Sequence, residues 1–139
     1  MLSFKPLTVA TSLLCLGLAA IWFAWPEWIL THWHMTYDYD GGFMSRRMAC
    51  LFLALSVILM SLRNAASPVV RGAVGNGVIT ACLSLIALGI YEWLSGHVGV
   101  GIFAAISLES VLTVAYFTVS SKKPRLTPQN PPEPAAPVR

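Results

Sequence analysis

Four long apolar runs constrain this chain more than any other feature of its sequence. They cover about residues 7–25, 43–62, 69–93 and 98–119. Each contains about 19–25 residues, which is long enough for one helix to cross roughly 30 Å of hydrocarbon. The runs therefore predict an all-α fold, an integral membrane four-helix bundle.

The composition agrees with lipid as the solvent of this bundle. The chain has 139 residues, of which 56% are hydrophobic and 11% are charged, whereas a soluble domain carries about 25% charged residues. The connections between the runs are short, which leaves no room for a soluble domain. Cys15, Cys50 and Cys82 lie inside the runs without CxxC or zinc spacing, so we expect buried free thiols.

The segment that follows the first run has a different character. It reads "WPEWILTHWHM", and Pro26 and Glu27 suit the first turn of a helix. Its apolar residues recur at helical spacing, so we expect a short amphipathic helix over about residues 26–35, lying in the membrane interface. Because the first run continues through "IWFAW" and three more runs follow, a cleaved signal peptide is not expected.

A second segment outside the spans ends the sequence. Residues 121–139 are rich in proline and polar side chains and lack an apolar period, so we expect a disordered cytoplasmic tail. Three basic residues at its start would favour anionic headgroups: Lys122, Lys123 and Arg125. The predicted organisation is a transmembrane domain over residues 1–120 and a tail over residues 121–139.

The basic residues predict the orientation of the chain. A cytoplasmic N-terminus places seven of them inside, namely Lys5, Arg63, Arg71, Lys122, Lys123, Arg125 and Arg139. Only Arg46 and Arg47 are then outside, so the positive-inside rule predicts that both termini are cytoplasmic. Six aromatic residues would gather at the outer interface: Trp22, Trp25, Trp28, Trp33, Tyr91 and Trp93. We expect a multi-pass protein of the bacterial cytoplasmic (inner) membrane.

Glu109, in "ISLESVLTV", is an acid near the middle of an apolar run. A charged acid at the bilayer centre costs about 2.5–3.5 kcal/mol, so we expect this side chain to face the bundle interior and to have partners. It aligns at i, i+4 spacing with three small or polar residues. We call this set the span-four stripe: Gly101, Ala105, Glu109 and Thr113. Small residues allow close helix approach, so the stripe predicts a packing surface.

The third span carries a matching set. We call it the span-three stripe: Gly72, Asn76, Thr80 and Ser84. Gly77 adds a further small residue beside it. The short links "NAASP" and "LSGH" predict antiparallel hairpins of spans two and three and of spans three and four, so the two stripes are expected to face each other. The Thr80 and Ser84 hydroxyls would then donate to Glu109, and Asn76 would serve another polar group nearby.

Arg46 and Arg47 are the other candidate partners of Glu109. They lie about one turn inside the outer end of span two, with Glu109 about 10 Å deeper. One arginine could bend inward to meet the acid, while the other snorkels to the headgroups or pairs with Asp38 or Asp40. Three interpretations of Glu109 stay open: a structural acid that fixes helix register, a proton or substrate site, and a lipid or protein contact.

The outer segment also invites a metal interpretation, because it contains His32, His34, Asp38 and Asp40. Residues two apart on a helix point roughly 200° away from each other, so the two histidines do not converge and no metal site is predicted. The sequence has no phosphate loop, nucleophile elbow or nucleic-acid signature. We therefore predict no catalytic residue, no cofactor and no nucleic-acid partner. The expected partners are membrane lipids and either a second copy or another membrane protein.

Three stretches together resemble a known type of protein. They are "WPEWILTHW", "SRRMACLFLALSVILMSLR" and "RGAVGNGVITACLSLIAL". They resemble small bacterial four-helix membrane proteins of uncharacterised function, of the DoxX-like kind. The matching features are Pro26-Glu27 after span one, Arg46 or Arg47 opening span two, Arg63 closing it, and the small residues from Gly72 to Gly77. The resemblance covers about residues 7–120, and it implies a fold and a location but no activity.

Three functional hypotheses follow. The first is a non-enzymatic accessory or assembly partner in the membrane, because no catalytic constellation appears and small-residue stripes suit protein contacts. The second is a small proton-linked transporter that uses Glu109. Small multidrug carriers are also four-helix proteins with a membrane acid, but their acid lies in the first helix. The third is the membrane subunit of a quinone-linked oxidoreductase, which the DoxX-like resemblance alone implies.

Overall fold

The computed structural model describes residues 3–120, and within this range it contains five helices and no strand. The helices are α1 Phe4–Ala24, α2 Pro26–His32, α3 Tyr39–Leu62, α4 Pro68–Leu94 and α5 Ile102–Ser120. All but the seven-residue α2 are long and apolar enough to cross a membrane. The predicted all-α fold is therefore confirmed. The predicted tail, 121–139, lies outside the described residues.

Several helix ends differ from the predicted ones, each for a local reason. α3 begins at Tyr39 because the Asp38 carboxylate caps it, accepting a hydrogen bond from the Gly41 N–H at 2.7 Å. α2 ends at His32. Two residues later His34 has a φ of 60°, which lies outside the right-handed helical region, so the helix cannot extend through it. α4, in contrast, begins at Pro68 as the link "NAASP" predicts, because the fixed φ of proline suits the first helical position.

The long helices form two antiparallel pairs. α1 packs along α3, α4 packs along α5, and α1 also contacts α5. Span two was predicted to form a hairpin with span three, but across the described residues α3 makes little contact with α4. A short link brings two helix ends together, yet it does not decide which helix faces pack. Here Ser12 and Ser56 join α3 to α1 instead.

The core lies where the two pairs meet. Leu59 of α3 and Tyr116 of α5 are each only 1% exposed, and they pack in one apolar cluster with residues of α1 and α4. Cys15 and Cys82 belong to this cluster as buried free thiols. Cys50 does not, because it lies on the outside of α3. The expectation of three buried thiols is thus wrong for Cys50.

The two ends of the bundle differ in chemistry. At one, which we call the basic end, the Arg71 guanidinium lies 5.5 Å from the centre of the Phe4 ring, and the 63–67 link and the end of α5 lie beside it. At the other, the aromatic end, the Gly99 N–H donates to the Trp33 carbonyl at 2.8 Å. The aromatic end also holds α2 and the paired rings of Trp22 and Trp33, whose centres are 5.6 Å apart.

Candidate functional site

Glu109 lies on the inner face of α5. Ile102 and Tyr116, each about two turns away, are buried on the same face, and Glu109 itself is half-buried. Across from it on α4 lies Cys82, whose thiol is within electrostatic reach of the carboxylate and close to the Thr113 hydroxyl. Thr113 donates its own proton to the Glu109 carbonyl at 2.8 Å. The acid therefore points into the contact between α4 and α5.

The span-three stripe does not face this acid. Asn76, Thr80 and Ser84 are exposed on the outside of the bundle, and the Ser84 hydroxyl donates to the Thr80 carbonyl of its own helix at 2.9 Å. The expected hydrogen bonds from Thr80 and Ser84 to Glu109 are therefore not formed.

α4 packs through a different face, which contains Gly75, Val78, Cys82 and Gly89. Gly89 leaves room for a large α5 side chain, because an added Cβ would lie 3.3 Å from Ile106. At Gly75 an added Cβ would lie at ordinary contact distance, 3.7 Å from Ser120 and 3.9 Å from Tyr116. Glycine on this face of α4 lets α5 approach closely, which favours this face over the span-three stripe.

Arg46 and Arg47 do not reach Glu109 either. Both are exposed, and the Arg47 guanidinium lies 5.7 Å from the centre of the Phe43 ring on its own helix. α3 packs on α1 and makes little contact with α5, and within residues 3–120 neither arginine forms an ion pair with the acid. Within residues 3–120 the Glu109 carboxylate has no hydrogen bond or ion pair, and the ion pair found there joins His97 to Glu92 at 2.7 Å.

The small residues of the predicted packing surfaces have three different surroundings. Gly101 packs against the segment after α2, since an added Cβ would lie 2.5 Å from the His32 carbonyl oxygen. Ala105 is half-buried on α5. Added Cβ atoms at Gly72 and Gly77 would meet no atom within 4 Å. The span-four stripe thus contacts both α4 and the segment after α2. Gly72 and Gly77 of α4 instead have open space beside them.

A buried polar cluster joins α1, α3 and α5. The Ser12 hydroxyl donates to the Ser56 carbonyl at 2.8 Å, and the Ser56 hydroxyl donates to the Ser12 carbonyl at the same distance. Tyr116 donates to the Thr11 hydroxyl at 3.2 Å, and Thr11 donates to the Leu7 carbonyl. Every buried side-chain nitrogen or oxygen in the described part of the chain has a hydrogen-bond partner. This cluster is satisfied internally, as a structural element requires in lipid.

This cluster is not among the sites predicted from the sequence, although α1 carries a signal for it. Thr8, Thr11, Ser12 and Cys15 recur at i, i+3 and i, i+4 spacing, which places four small or polar side chains on one helix face. All four are buried. Span one was interpreted by its length and apolarity alone, so its polar face was not recognised.

The remaining titratable side chains do not converge. No group of three or more histidine, cysteine, aspartate or glutamate side chains that could hold a metal ion occurs among residues 3–120. His32 stacks on Trp28 with ring centres 5.9 Å apart, and His34 lies against Gly99. At the aromatic end, Glu27 and Arg46 line an open groove of about 420 Å³ together with aromatic side chains.

Comparisons with known proteins leave the function to be argued from this geometry. No family model matches the chain, and neither a curated protein nor a solved structure matches it. Two places in the bundle therefore bear on the function. One is the outward face of α4, and the other is the half-buried acid of α5.

Proposed function

We propose that this multi-pass membrane protein is a non-enzymatic assembly partner, which associates with a second copy of itself through the outward face of α4. One observation carries the proposal. The Asn76 amide is exposed about 12 Å along α4 from its first residue, and within residues 3–120 its side chain has no hydrogen bond. An unpaired amide in hydrocarbon is costly, so a partner that pairs with it is favoured.

The surroundings of Asn76 suit helix association. Gly72 and Gly77 leave open space beside it, and Thr80 is exposed one turn further along the same face. Small residues let a second helix approach closely enough for amides to meet. A carboxamide both donates and accepts hydrogen bonds, so Asn76 of two copies can pair with each other across a two-fold axis. This self-complementarity favours a second copy over an unrelated chain.

The test is the association of the full chain in lipid vesicles, measured by energy transfer between labelled copies at increasing dilution. We expect Asn76→Leu to shift the dissociation midpoint to about tenfold higher protein density, since an interhelical hydrogen bond of this kind contributes about 1–2 kcal/mol in model peptides. Ser107→Leu is the matched control, because Ser107 is also exposed in a span but its hydroxyl donates to the Phe103 carbonyl.

A wild-type chain that is monomeric at every dilution would contradict self-association. If that monomer were retained by another membrane protein, and Asn76→Leu abolished the retention, the occupant of the face would be that other protein. Equal loss of association in Ser107→Leu would show that the effect is not specific to the α4 face.

A small proton-linked transporter is the second candidate function. Glu109 favours it, because its carboxylate is half-buried between α4 and α5 and has no ion pair or hydrogen bond within the described residues. We expect Glu109→Gln to abolish pH-dependent flux in proteoliposomes while the chain stays folded. Glu92→Gln, which alters an acid paired with His97 at the aromatic end, should leave that flux intact. Loss of folding in Glu109→Gln with no flux in the wild type would instead favour a structural acid.

We also propose that both termini are cytoplasmic and that the membrane is the bacterial cytoplasmic one. The proposal is supported by Lys5, Arg63 and Arg71 at the basic end, and by the basic residues that follow α5 in the sequence. Membership of the DoxX-like proteins remains a proposal based on sequence resemblance. A quinone-linked role rests on that resemblance alone, and bound quinone or haem absorption in the purified protein would support it.

A further inference from the structure

The groove at the aromatic end is formed by three elements. Phe23 comes from the end of α1, Glu27 and Trp28 from α2, and Arg46 from the second turn of α3, while Trp25 lies between α1 and α2. Tyr37, in the link between α2 and α3, also lines the groove. Exposed tryptophan and tyrosine side chains prefer the headgroup level of a bilayer. The groove therefore opens where phospholipid headgroups lie.

Two opposite charges share this groove without pairing. Glu27 and Arg46 are both exposed, and within residues 3–120 neither side chain has a hydrogen bond or an ion pair. Two such charges facing one space can each bind the opposite charge of a single ligand. A guanidinium presents parallel N–H donors that match a phosphate, and a carboxylate accepts hydrogen bonds from an ammonium.

The rest of the lining suits a cation beside Glu27. The Trp25 and Trp28 side chains are 66% and 65% exposed. His32 stacks on one face of Trp28, so the Trp25 ring and the other face of Trp28 remain available for a cation–π contact. Thr31 also lines the groove, and its hydroxyl proton is already donated to the Glu27 carbonyl at 2.8 Å. Its oxygen is left as an acceptor for an ammonium N–H.

We propose that this groove binds the headgroup of a zwitterionic phospholipid, with the phosphate on Arg46 and the ammonium on Glu27. Both charges of such a headgroup are on one molecule and a few bonds apart, so a single ligand presents a partner to each of the two residues that line the groove. An anionic phospholipid supplies the phosphate but leaves Glu27 without a partner. The inference does not depend on which chain covers α4, because the groove lies on α1, α2 and α3.

The experiment is a lipid titration of the full chain in detergent, followed by native mass spectrometry. The probes are dioleoyl phosphatidylethanolamine and dioleoyl phosphatidylglycerol, which share acyl chains and a phosphate but differ in the ammonium. We expect the ethanolamine lipid to bind about tenfold more tightly, since hydrogen bonds to charged groups are the stronger class. Glu27→Gln should abolish this preference, and Arg46→Gln should weaken the binding of both lipids.

Two matched controls separate the groove from general charge effects. Arg47→Gln removes the neighbouring guanidinium, which lies over Phe43 outside the groove, and Glu92→Gln removes an acid at the same end of the bundle. Both variants should keep the wild-type affinity and preference. Equal binding of the two lipids by the wild type, or equal weakening by Arg47→Gln and Arg46→Gln, would overturn the proposal. So would displacement of the lipid by equimolar soluble phosphoethanolamine, which would assign the site to a water-soluble ligand.

Discussion

At the scale of single residues, reciprocal hydrogen bonds between Ser12 and Ser56 join α1 to α3. Each hydroxyl donates to the backbone carbonyl of the opposite helix, and the two hydroxyl oxygens are 3.2 Å apart. Only small side chains let two helices come this close. In lipid there is no water to replace these bonds, so both hydroxyls must be satisfied by protein.

Ser12→Ala and Ser56→Ala each remove one of these bonds. We expect each substitution to lower the free energy of unfolding in mixed micelles by about 1 kcal/mol, and the double variant to lose about the sum. Ser84→Ala is the control, because the Ser84 hydroxyl is exposed and donates within its own helix. A loss in Ser84→Ala as large as in Ser12→Ala would contradict a specific link between α1 and α3.

Tyr116 acts as a second such link, between α5 and α1. Its ring is 1% exposed and its hydroxyl donates to Thr11. Tyr116→Phe keeps the packing and removes the bond, so we expect a loss of about 1 kcal/mol in the free energy of unfolding. Tyr116→Ala also opens a cavity, and we expect about 3–5 kcal/mol. Equal losses in the two variants would show that the hydroxyl, not the ring volume, joins the helix pairs.

At the scale of elements, the start of α5 is set by residues 99–101, which pack against the end of α2 and the residues that follow it. Gly99 donates its N–H to Trp33 and lies against the His34 ring, while Gly101 lies against the backbone of His32. These close approaches leave no space for a side chain. The sequence predicted span four from residue 98, but the contacts hold residues 99–101 outside the helix, which begins at Ile102.

Gly101→Ala tests this contact between the loop and α2. The added Cβ would lie 2.5 Å from the His32 carbonyl oxygen, so the backbone must move, and we expect a loss of about 1–3 kcal/mol in the free energy of unfolding. Gly17→Ala is the control, because its Cβ meets no atom within 4 Å and alanine favours the helix. We expect that control to be neutral or stabilising. Equal destabilisation by both variants would exclude a steric cause at Gly101.

At the scale of the whole molecule, the two helix pairs and the distribution of charge define two distinct ends. If the termini are cytoplasmic, as we propose, the link before α4 is inside and the link after it is outside. Ser95→Cys should then react with a membrane-impermeant maleimide in intact cells, whereas Ser67→Cys should react only after the membrane is opened. The parent chain is the control, since Cys15 and Cys82 are buried and Cys50 lies within a span. Labelling of Ser67→Cys alone in intact cells would invert the orientation.

The sequence alone determined the features that depend on solvent transfer and chain length. Four apolar runs predicted four membrane-spanning helices, and Pro26 and Glu27 predicted the helix that follows the first. Helical spacing also placed Glu109 on the same face as Thr113, because the face on which each residue lies depends only on the period of one helix. Such properties are local, because each helix satisfies its own backbone and its apolar surface is matched by lipid.

Only the tertiary structure decided which faces meet. The span-three stripe had the right composition for a packing surface, yet α5 packs on another face of α4, where Gly89 lies closely against Ile106 and Gly75 contacts Ser120. Ser12 and Ser56 lie 44 residues apart, and no periodicity within one helix shows that they bind each other. In lipid the hydrophobic effect does not select a face, so the choice depends on close packing and a few hydrogen bonds. Those depend on the shapes of two helices together, which one sequence segment does not reveal.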